Sequence, residues 1–115
     1  MAANGYVIDT SVLVRWFLRQ SGWQKAVQYR DEFIAGAISL ETVECARFEL
    51  PHVLRKKGFL EGKLTLDEYR SAVRVIDDFD IHVEPLDTDT LEDCAVLAVQ
   101  ENVQFFDSVF LHRAM

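Results

Sequence analysis

The chain is 115 residues long, with half of its residues hydrophobic and 27% charged, which is the composition of one soluble globular domain covering residues 1–115. Its formal net charge of −7 argues against a protein that coats nucleic acid through its overall electrostatic field. The same charge leaves open a local site in which carboxylates hold divalent cations and thereby attract phosphate.

The cellular location is predicted from signals that the sequence lacks. No apolar stretch approaches the roughly 20 residues that cross a bilayer, and no basic segment leads into an apolar core as in a secretory signal. Cys45 and Cys94 lie in helix-like segments without the spacing of metal ligands. We therefore expect a reduced, cytoplasmic protein that does not contact membranes.

The first predicted elements are a strand and a helix joined at an acid. The apolar residues 6–8 predict a buried strand, and Asp9, Thr10 and Ser11 follow it directly. All three are favoured helix N-caps, so they predict a helix near residues 11–19. On that basis Asp9 is only a cap, unless other acids occupy similarly apolar places.

The central part of the chain continues the alternation of helices and strands. Residues 20–22 predict a turn, residues 23–35 a helix ended by Gly36, and residues 37–40 a second buried strand. A helix then covers residues 42–58, and Pro51 predicts a kink or a restart within it because proline lacks the amide donor.

The C-terminal half begins with the capping box Thr65-x-x-Glu68, which opens an amphipathic helix. Residues 81–86 alternate like a strand, Asp89-x-x-Glu92 resembles another cap, and a last helix begins near Asp107. Strands separated by helices require crossover connections, so the fold class is α/β with a parallel sheet.

Two further acids lie on apolar helix faces. Glu49 occupies the stripe formed by Ala46, Leu50, Val53 and Leu54, and Asp107 begins the stripe of Phe110, Leu111 and Ala114. An isolated carboxylate on a core-facing stripe is strongly disfavoured unless it is paired or metal-bound. Each acid also has a simpler explanation: Glu49 pairs with Arg47 or Lys56 at the rim, and Asp107 caps its helix.

Together the three acids Asp9, Glu49 and Asp107 predict a metal site. Ligands of open α/β sheets bind outside the carboxyl ends of the strands, where Asp9 lies. Oxygen ligands without cysteine or histidine favour Mg²⁺ or Mn²⁺. The chemistry that suits such a site is metal-assisted phosphodiester hydrolysis, with the three carboxylates converging closely enough to share one cation.

Three segments carry a resemblance to PIN domains, and more narrowly to the VapC ribonuclease toxins of toxin–antitoxin pairs. "VIDTSVLVRWFL" resembles the family's opening strand, acid and hydroxyl turn. "RFELPHVLRKKG" resembles the helix with its second acid, which assigns that role to Glu49 rather than Glu41 or Glu44. "VQFFDSVFLHRAM" resembles the segment with its third acid, Asp107.

The resemblance implies a three-layer α/β/α fold with a short parallel sheet and a Mg²⁺- or Mn²⁺-dependent endoribonuclease. Asp9, Glu49 and Asp107 would be catalytic and metal-binding, and Thr10 or Ser11 would support the metal shell. It also implies a structured or single-stranded RNA substrate, inhibition by a small antitoxin protein, and usually a homodimer.

This chain departs from the family pattern at two places. His52 stands where asparagine is frequent, and the chain ends at Met115, where family members continue into a strand with a fourth acid. We therefore expect a C-terminally truncated form in which the first strand has a bare edge that favours association. Weak metal binding and poor catalysis are expected for the same reason.

The basic residues Arg15, Arg19, Arg55 and Lys56, the last two within the run 55–57, are the candidates for contacts with the RNA backbone. The simpler explanation for that run is a solvated helix end whose cations favour the helix dipole.

Two other functional classes are weighed beside the nuclease. One is a catalytically inactive PIN-like protein that acts by dimerisation or partner binding. The other is phosphoryl transfer of the haloacid-dehalogenase or response-regulator kind, which ranks last. The former enzymes require a second aspartate at position 11, where Ser11 stands, and the latter require paired acids and a late lysine that do not appear.

Overall fold

The computed structural model describes residues 4–115 and contains a parallel sheet of three strands. The strands are β1 (Gly5–Val7), β2 (Ser39–Val43) and β3 (His82–Glu84), in the spatial order β1-β2-β3. Both ladders are parallel: Gly5–Val7 pair in order with residues 39–41, and residues 41–43 pair in order with His82–Glu84. The predicted α/β class and parallel sheet are confirmed.

Helices connect the strands and follow the last one. The crossover from β1 to β2 contains two helices. The crossover from β2 to β3 contains three helices and a π-helical turn, and two more helices follow β3. In chain order they are α1 (Thr10–Val14), α2 (Trp23–Ile34), α3 (Ala46–Leu54), the π-helical turn (Arg55–Phe59), α4 (Leu66–Val73), α5 (Val75–Asp78), α6 (Thr88–Glu101) and α7 (Phe105–Ala114).

The second strand lies further along the chain than the sequence pattern predicted. β2 extends to Val43, so residues 41–43 belong to the sheet and α3 begins only at Ala46. Thr42 and Val43 are β-branched and almost fully buried, which favours the extended conformation. The Thr42 hydroxyl also donates to the carbonyl of Ile8 at 2.8 Å and thereby ties β2 to the end of β1.

The first strand is not the buried strand that its apolar residues predicted. β1 hydrogen-bonds only to β2 within the described chain, and Gly5 and Tyr6 are exposed at this edge of the sheet. Tyr6 packs against Tyr29 of α2, with ring centroids 5.2 Å apart. Ile8, which directly follows β1, is the first residue of this segment that enters the core. Within residues 4–115, β1 therefore has a strand partner on one side only, and both the missing neighbouring strand and association through this edge stay predictions.

Two helix boundaries differ from their predictions. α1 ends at Val14 rather than near residue 19. Beyond it, the amides of Trp16 and Phe17 donate to carbonyls only three residues back, which is the pattern of turns. α3 continues through Pro51 to Leu54, so of the predicted kink or restart the restart is wrong, and a π-helical turn follows the helix directly. Gly58 is buried in that turn, where an added Cβ would lie 2.6 Å from a Leu64 methyl group.

The helices α1, α4 and α6 have side-chain N-caps of the residue types that the sequence indicated. The capping box of Thr65 and Glu68 is present at α4. α2 runs to Ile34 with Ala35 as its C-cap, and Gly36 follows in the left-handed region. The cap of α6 is Asp87 rather than the predicted Asp89, since the Asp87 carboxylate accepts the Thr90 amide at 2.8 Å.

The main core is formed by Ile8 after β1, by Leu40 of β2 and by residues of the helices α1 to α5. Its fully or nearly fully buried members include Leu13, Val14, Leu50, Leu54 and Ile76. A smaller cluster of Val43, Cys94 and Val109 lies under α6 and α7. No helix within residues 4–115 combines the length and apolar character needed to span a bilayer.

The two acidic caps predict a loss of stability in acid. Hydrogen bonds from the Thr65 amide and then its hydroxyl hold the pKa of Glu68 below its ordinary value of 4.5. The Thr90 amide and hydroxyl likewise hold the pKa of Asp87 below 3.8. Folding lowers the pKa of both carboxyl groups. The stabilisation is therefore fully present at a pH above their ordinary pKa values, and it is lost as the pH falls through their pKa values in the folded chain.

We expect Glu68→Gln and Asp87→Asn each to reduce the fall in unfolding free energy between about pH 6 and about pH 3, measured by urea denaturation. Asp67→Asn is the matched control, because Asp67 lies in the same first turn as Glu68 but makes no capping hydrogen bond. An unchanged pH dependence in both cap variants would contradict this assignment.

Candidate functional site

Asp9 lies at the corner where the end of β1 leads into α1. Its backbone is extended, with φ −91° and ψ 174°, and its carboxylate accepts the Val12 amide at 3.1 Å. The Ser11 hydroxyl donates to the same oxygen, Oδ1, at 2.5 Å. Asp9 is therefore the N-cap of α1, as the simpler explanation required. The cap engages only one of the two carboxylate oxygens, so it is compatible with a second role.

Thr10 links this corner to the second acid. The Thr10 side chain is buried, and its hydroxyl donates to Oε1 of Glu49 at 3.1 Å. α1 packs on α3, and Glu49 faces it beside the fully buried Leu50. The predicted stripe on α3 is thus confirmed, and both hydroxyls after Asp9 donate to predicted site acids.

The simpler explanation for Glu49 is not observed. Arg47 pairs instead with Asp77, at 2.8 Å. No lysine or arginine nitrogen within residues 4–115 lies within 4.0 Å of the Glu49 carboxylate. The half-buried Glu49 carboxylate accepts from the neutral Thr10 hydroxyl, and no cationic side chain among the described residues compensates its charge at close range.

Cys45 shows the effect of that charge. Burial first, and then the negative charge of Glu49 and a hydrogen bond to its carboxylate, raise the pKa of the Cys45 thiol to about 12. The thiol therefore stays protonated at neutral pH.

Asp107 reaches the same region from α7, but not for the reason that its sequence pattern suggested. The residues of α7 that are buried are Ser108 and Val109, while Asp107 and Leu111 are exposed. Asp107 is not the cap either, because the N-cap of α7 is Gln104. No hydrogen bond or ion pair in the described part of the chain engages its carboxylate.

One cleft of about 300 Å³ brings the three acids together. Asp9, Glu49 and Asp107 come from three elements that are far apart in the sequence, and all three line it. The lining also includes both hydroxyl residues, two cations and two aromatic rings. The residues are Asp9, Thr10, Ser11, Val14, Arg15, Gln20, Glu49, Val53, Lys57, Phe106, Asp107 and Phe110.

The three carboxylates line this cleft but do not all lie within 4.8 Å of one another. Within residues 4–115, the one group of three acidic or histidine side chains with ligand atoms mutually within 4.8 Å is a different one. Like charges repel, and nearby carboxylates separate unless a cation compensates them. Direct sharing of one cation by Asp9, Glu49 and Asp107 therefore stays a prediction, and it requires rotation of these side chains.

That other group consists of Glu41, His82 and Glu84 on β2 and β3, with Arg113 of α7 beside it. Arg113 donates through Nη2 and Nε to Glu41, at 2.7 and 3.2 Å, and lies 3.5 Å from Glu84. The hydrogen bond to Glu41 raises the pKa of the guanidinium further. His82 lies 3.1 Å from Glu84. We call these four residues the Arg113 network.

Sequence reasoning missed the Arg113 network, although two signals pointed towards it. His82 and Glu84 are two positions apart in one strand, so they lie on one face. Glu41 is directly opposite His82 in the parallel register. The register became visible only with the correct bounds of β2. Because a cation from the chain already compensates both glutamates, we interpret the network as a structural tie between α7 and the sheet.

The predicted RNA contacts are divided by the structure. Arg15 lines the cleft and donates to the carbonyls of Ser21 and Ser11, at 2.7 and 2.9 Å. Arg19 instead lies over the ring of Trp23, at 4.6 Å from its centroid. Arg55 and Lys56 are exposed but do not line the cleft, whereas the neighbouring Lys57 does.

Comparison with known proteins adds no family to this picture. No protein-family model matches the chain, and no curated protein matches it significantly.

The Arg113 network predicts a specific stability effect. Arg113→Leu should lower the free energy of unfolding by about 1–2 kcal/mol, because it leaves Glu41 and Glu84 facing each other without a cation. Arg74→Leu is the control, since its pair with Asp78 is 3.8 Å long and largely exposed. Equal effects of the two substitutions in urea denaturation would contradict a special role for Arg113.

Proposed function

We propose that this chain is a PIN-like, Mg²⁺- or Mn²⁺-dependent endoribonuclease of the VapC kind, with its active site in the acidic cleft. The observation that supports the proposal most is the meeting of Asp9, Glu49 and Asp107 in one cleft. They are the three acids singled out by apolar surroundings or by motif resemblance, and they come from three separate elements.

The donor set of the cleft fits a hard divalent cation. It offers carboxylate and hydroxyl oxygens, and no cysteine or histidine of residues 4–115 lines it. Asp9, Glu49 and Asp107 would hold the ion. A bound Mg²⁺ or Mn²⁺ supplies polarisation of the phosphoryl oxygen and an activated water.

The chain's own residues provide position and charge. Ser11 and the Val12 amide fix one oxygen of Asp9, and Thr10 fixes one oxygen of Glu49, so each carboxylate is oriented before any ligand arrives. Arg15 is held in place by two backbone carbonyls. Together with Lys57 it provides positive charge for phosphates on the RNA strand in a chain of negative net charge.

The second candidate is a catalytically weak or inactive PIN-like protein that acts by dimerisation or by binding a partner such as a small antitoxin. Two observations favour it. The three carboxylates do not form a tight group of ligand atoms, and β1 has no neighbouring strand on one side within residues 4–115. A homodimer or an antitoxin strand at that edge would satisfy its backbone groups.

Asp9→Asn separates the two candidates. Asparagine is as good an N-cap as aspartate, so the variant should fold while losing a charged metal ligand. We expect RNA cleavage to fall by about two orders of magnitude or more, and EDTA to abolish wild-type cleavage until Mg²⁺ or Mn²⁺ is restored. The measurement is the initial cleavage rate of a 5′-labelled single-stranded RNA.

Asp89→Asn is the matched control, because Asp89 is an aspartate in the first turn of α6 and lies outside the cleft. Its cleavage rate should equal that of the wild type. Cleavage that persists undiminished in Asp9→Asn or in EDTA would refute the metal mechanism. A wild type that binds a partner or dimerises but cuts no RNA under any metal would favour the second candidate.

A further inference from the structure

Phe106 is an aromatic side chain that the fold does not bury. It lies next to Asp107 in the first turn of α7, lines the acidic cleft, and is 53% exposed. Large apolar side chains are stabilised by burial, and the core of this chain does not use this ring. An exposed ring beside three predicted catalytic acids therefore suggests a ligand with a flat apolar surface.

Phe105 restrains the orientation of that ring. The two phenyl groups are 5.9 Å apart between centroids and inclined by 69°, which is an edge-to-face arrangement. Such pairs are favourable beyond the area that they bury. Phe106 therefore lies at the cleft with the ring of Phe105 as an edge-to-face neighbour.

The cations of the cleft complement the ring. Arg15 and Lys57 both line it, and neither lies within 4.0 Å of a carboxylate oxygen among the residues that the structure describes. The cleft therefore combines unpaired positive charge, metal-binding oxygens and one exposed aromatic face. A ligand with a phosphate backbone and planar bases matches all three features.

The size and chemistry of the cleft select among nucleic acid forms. A volume of about 300 Å³ is at the small end of ligand sites, and a paired base within a helix has no free face for a phenyl ring. Unpaired bases in loops and single strands can turn out and stack on aromatic side chains.

Building on the proposed nuclease function, we propose that Phe106 stacks on an unpaired base next to the scissile phosphate and so selects the position at which the RNA is bound for cleavage. Phe106 is then a specificity residue that acts in substrate binding. Arg15 and Lys57 contact the flanking phosphates.

The test is steady-state cleavage of a 5′-labelled, mixed-sequence, 30-nucleotide single-stranded RNA and of its duplex. Phe106→Ala should raise KM about tenfold and leave kcat nearly unchanged, since loss of one stacked base costs about this factor. Phe106→Leu should raise KM as much as Phe106→Ala does, and Phe106→Trp should keep the KM of the wild type. Phe48→Ala is the control, because Phe48 is 72% exposed but outside the cleft.

Abasic substrates give a readout that a purely structural role would not change. Removing the base at each nucleotide flanking the cut should raise KM at one position, and Phe106→Ala should add no further loss on that substrate. Additive losses at every position would overturn the inference. Equal cleavage of single strand and duplex would overturn it as well.

The outcomes separate this inference from the function on which it rests. A wild type that cuts neither RNA with Mg²⁺ or Mn²⁺ would refute the proposed function and the inference together. A wild type that cuts the single strand, with KM unchanged in Phe106→Ala, would refute the inference alone. A change of oligomeric state in Phe106→Ala with unchanged KM would assign the ring to a protein interface and also overturn it.

Discussion

The site depends on the hydrogen bonds at the corner between β1 and α1. Asp9 ends the strand segment and caps the helix, so one carboxylate closes the corner and also faces the cleft. The next two residues donate to acids, Ser11 to Asp9 and Thr10 to Glu49 on α3. The turn of the backbone thus fixes the spacing of two carboxylates, and a change in the corner would alter both.

The third acid is positioned by a different part of the fold. α7 brings Asp107 to the cleft from its first turn, and Arg113 near its other end binds Glu41 of the central strand. Because α7 is a continuous helix between these points, the ion pair of Arg113 also helps to hold Asp107 at the cleft. The structure therefore contains two separate sets of acidic residues. Arg113 compensates the negative charge of Glu41 and Glu84, while the acids of the cleft have no cationic side chain as a close partner.

The sequence predicted elements whose signals are local and missed relationships that depend on register. The Asp9 cap, the box at Thr65 and the core face around Glu49 were each readable from neighbouring residues. The bounds of β2 were not, because burial of Thr42 and its bond to Ile8 are tertiary effects. That error hid the Arg113 network. Asp107 was selected on a stripe that the structure does not bury, and only its motif resemblance supported it.

The proposed mechanism requires that a divalent cation binds in the acidic cleft rather than at the Arg113 network. Mn²⁺ titration followed by NMR tests it most directly, since the paramagnetic ion broadens amide signals near its site. We expect broadening at residues 9–11, 49 and 106–108, and its loss in Asp9→Asn. Broadening centred on Glu41, His82 and Glu84, or broadening at the cleft that is undiminished in Asp9→Asn, would contradict the account.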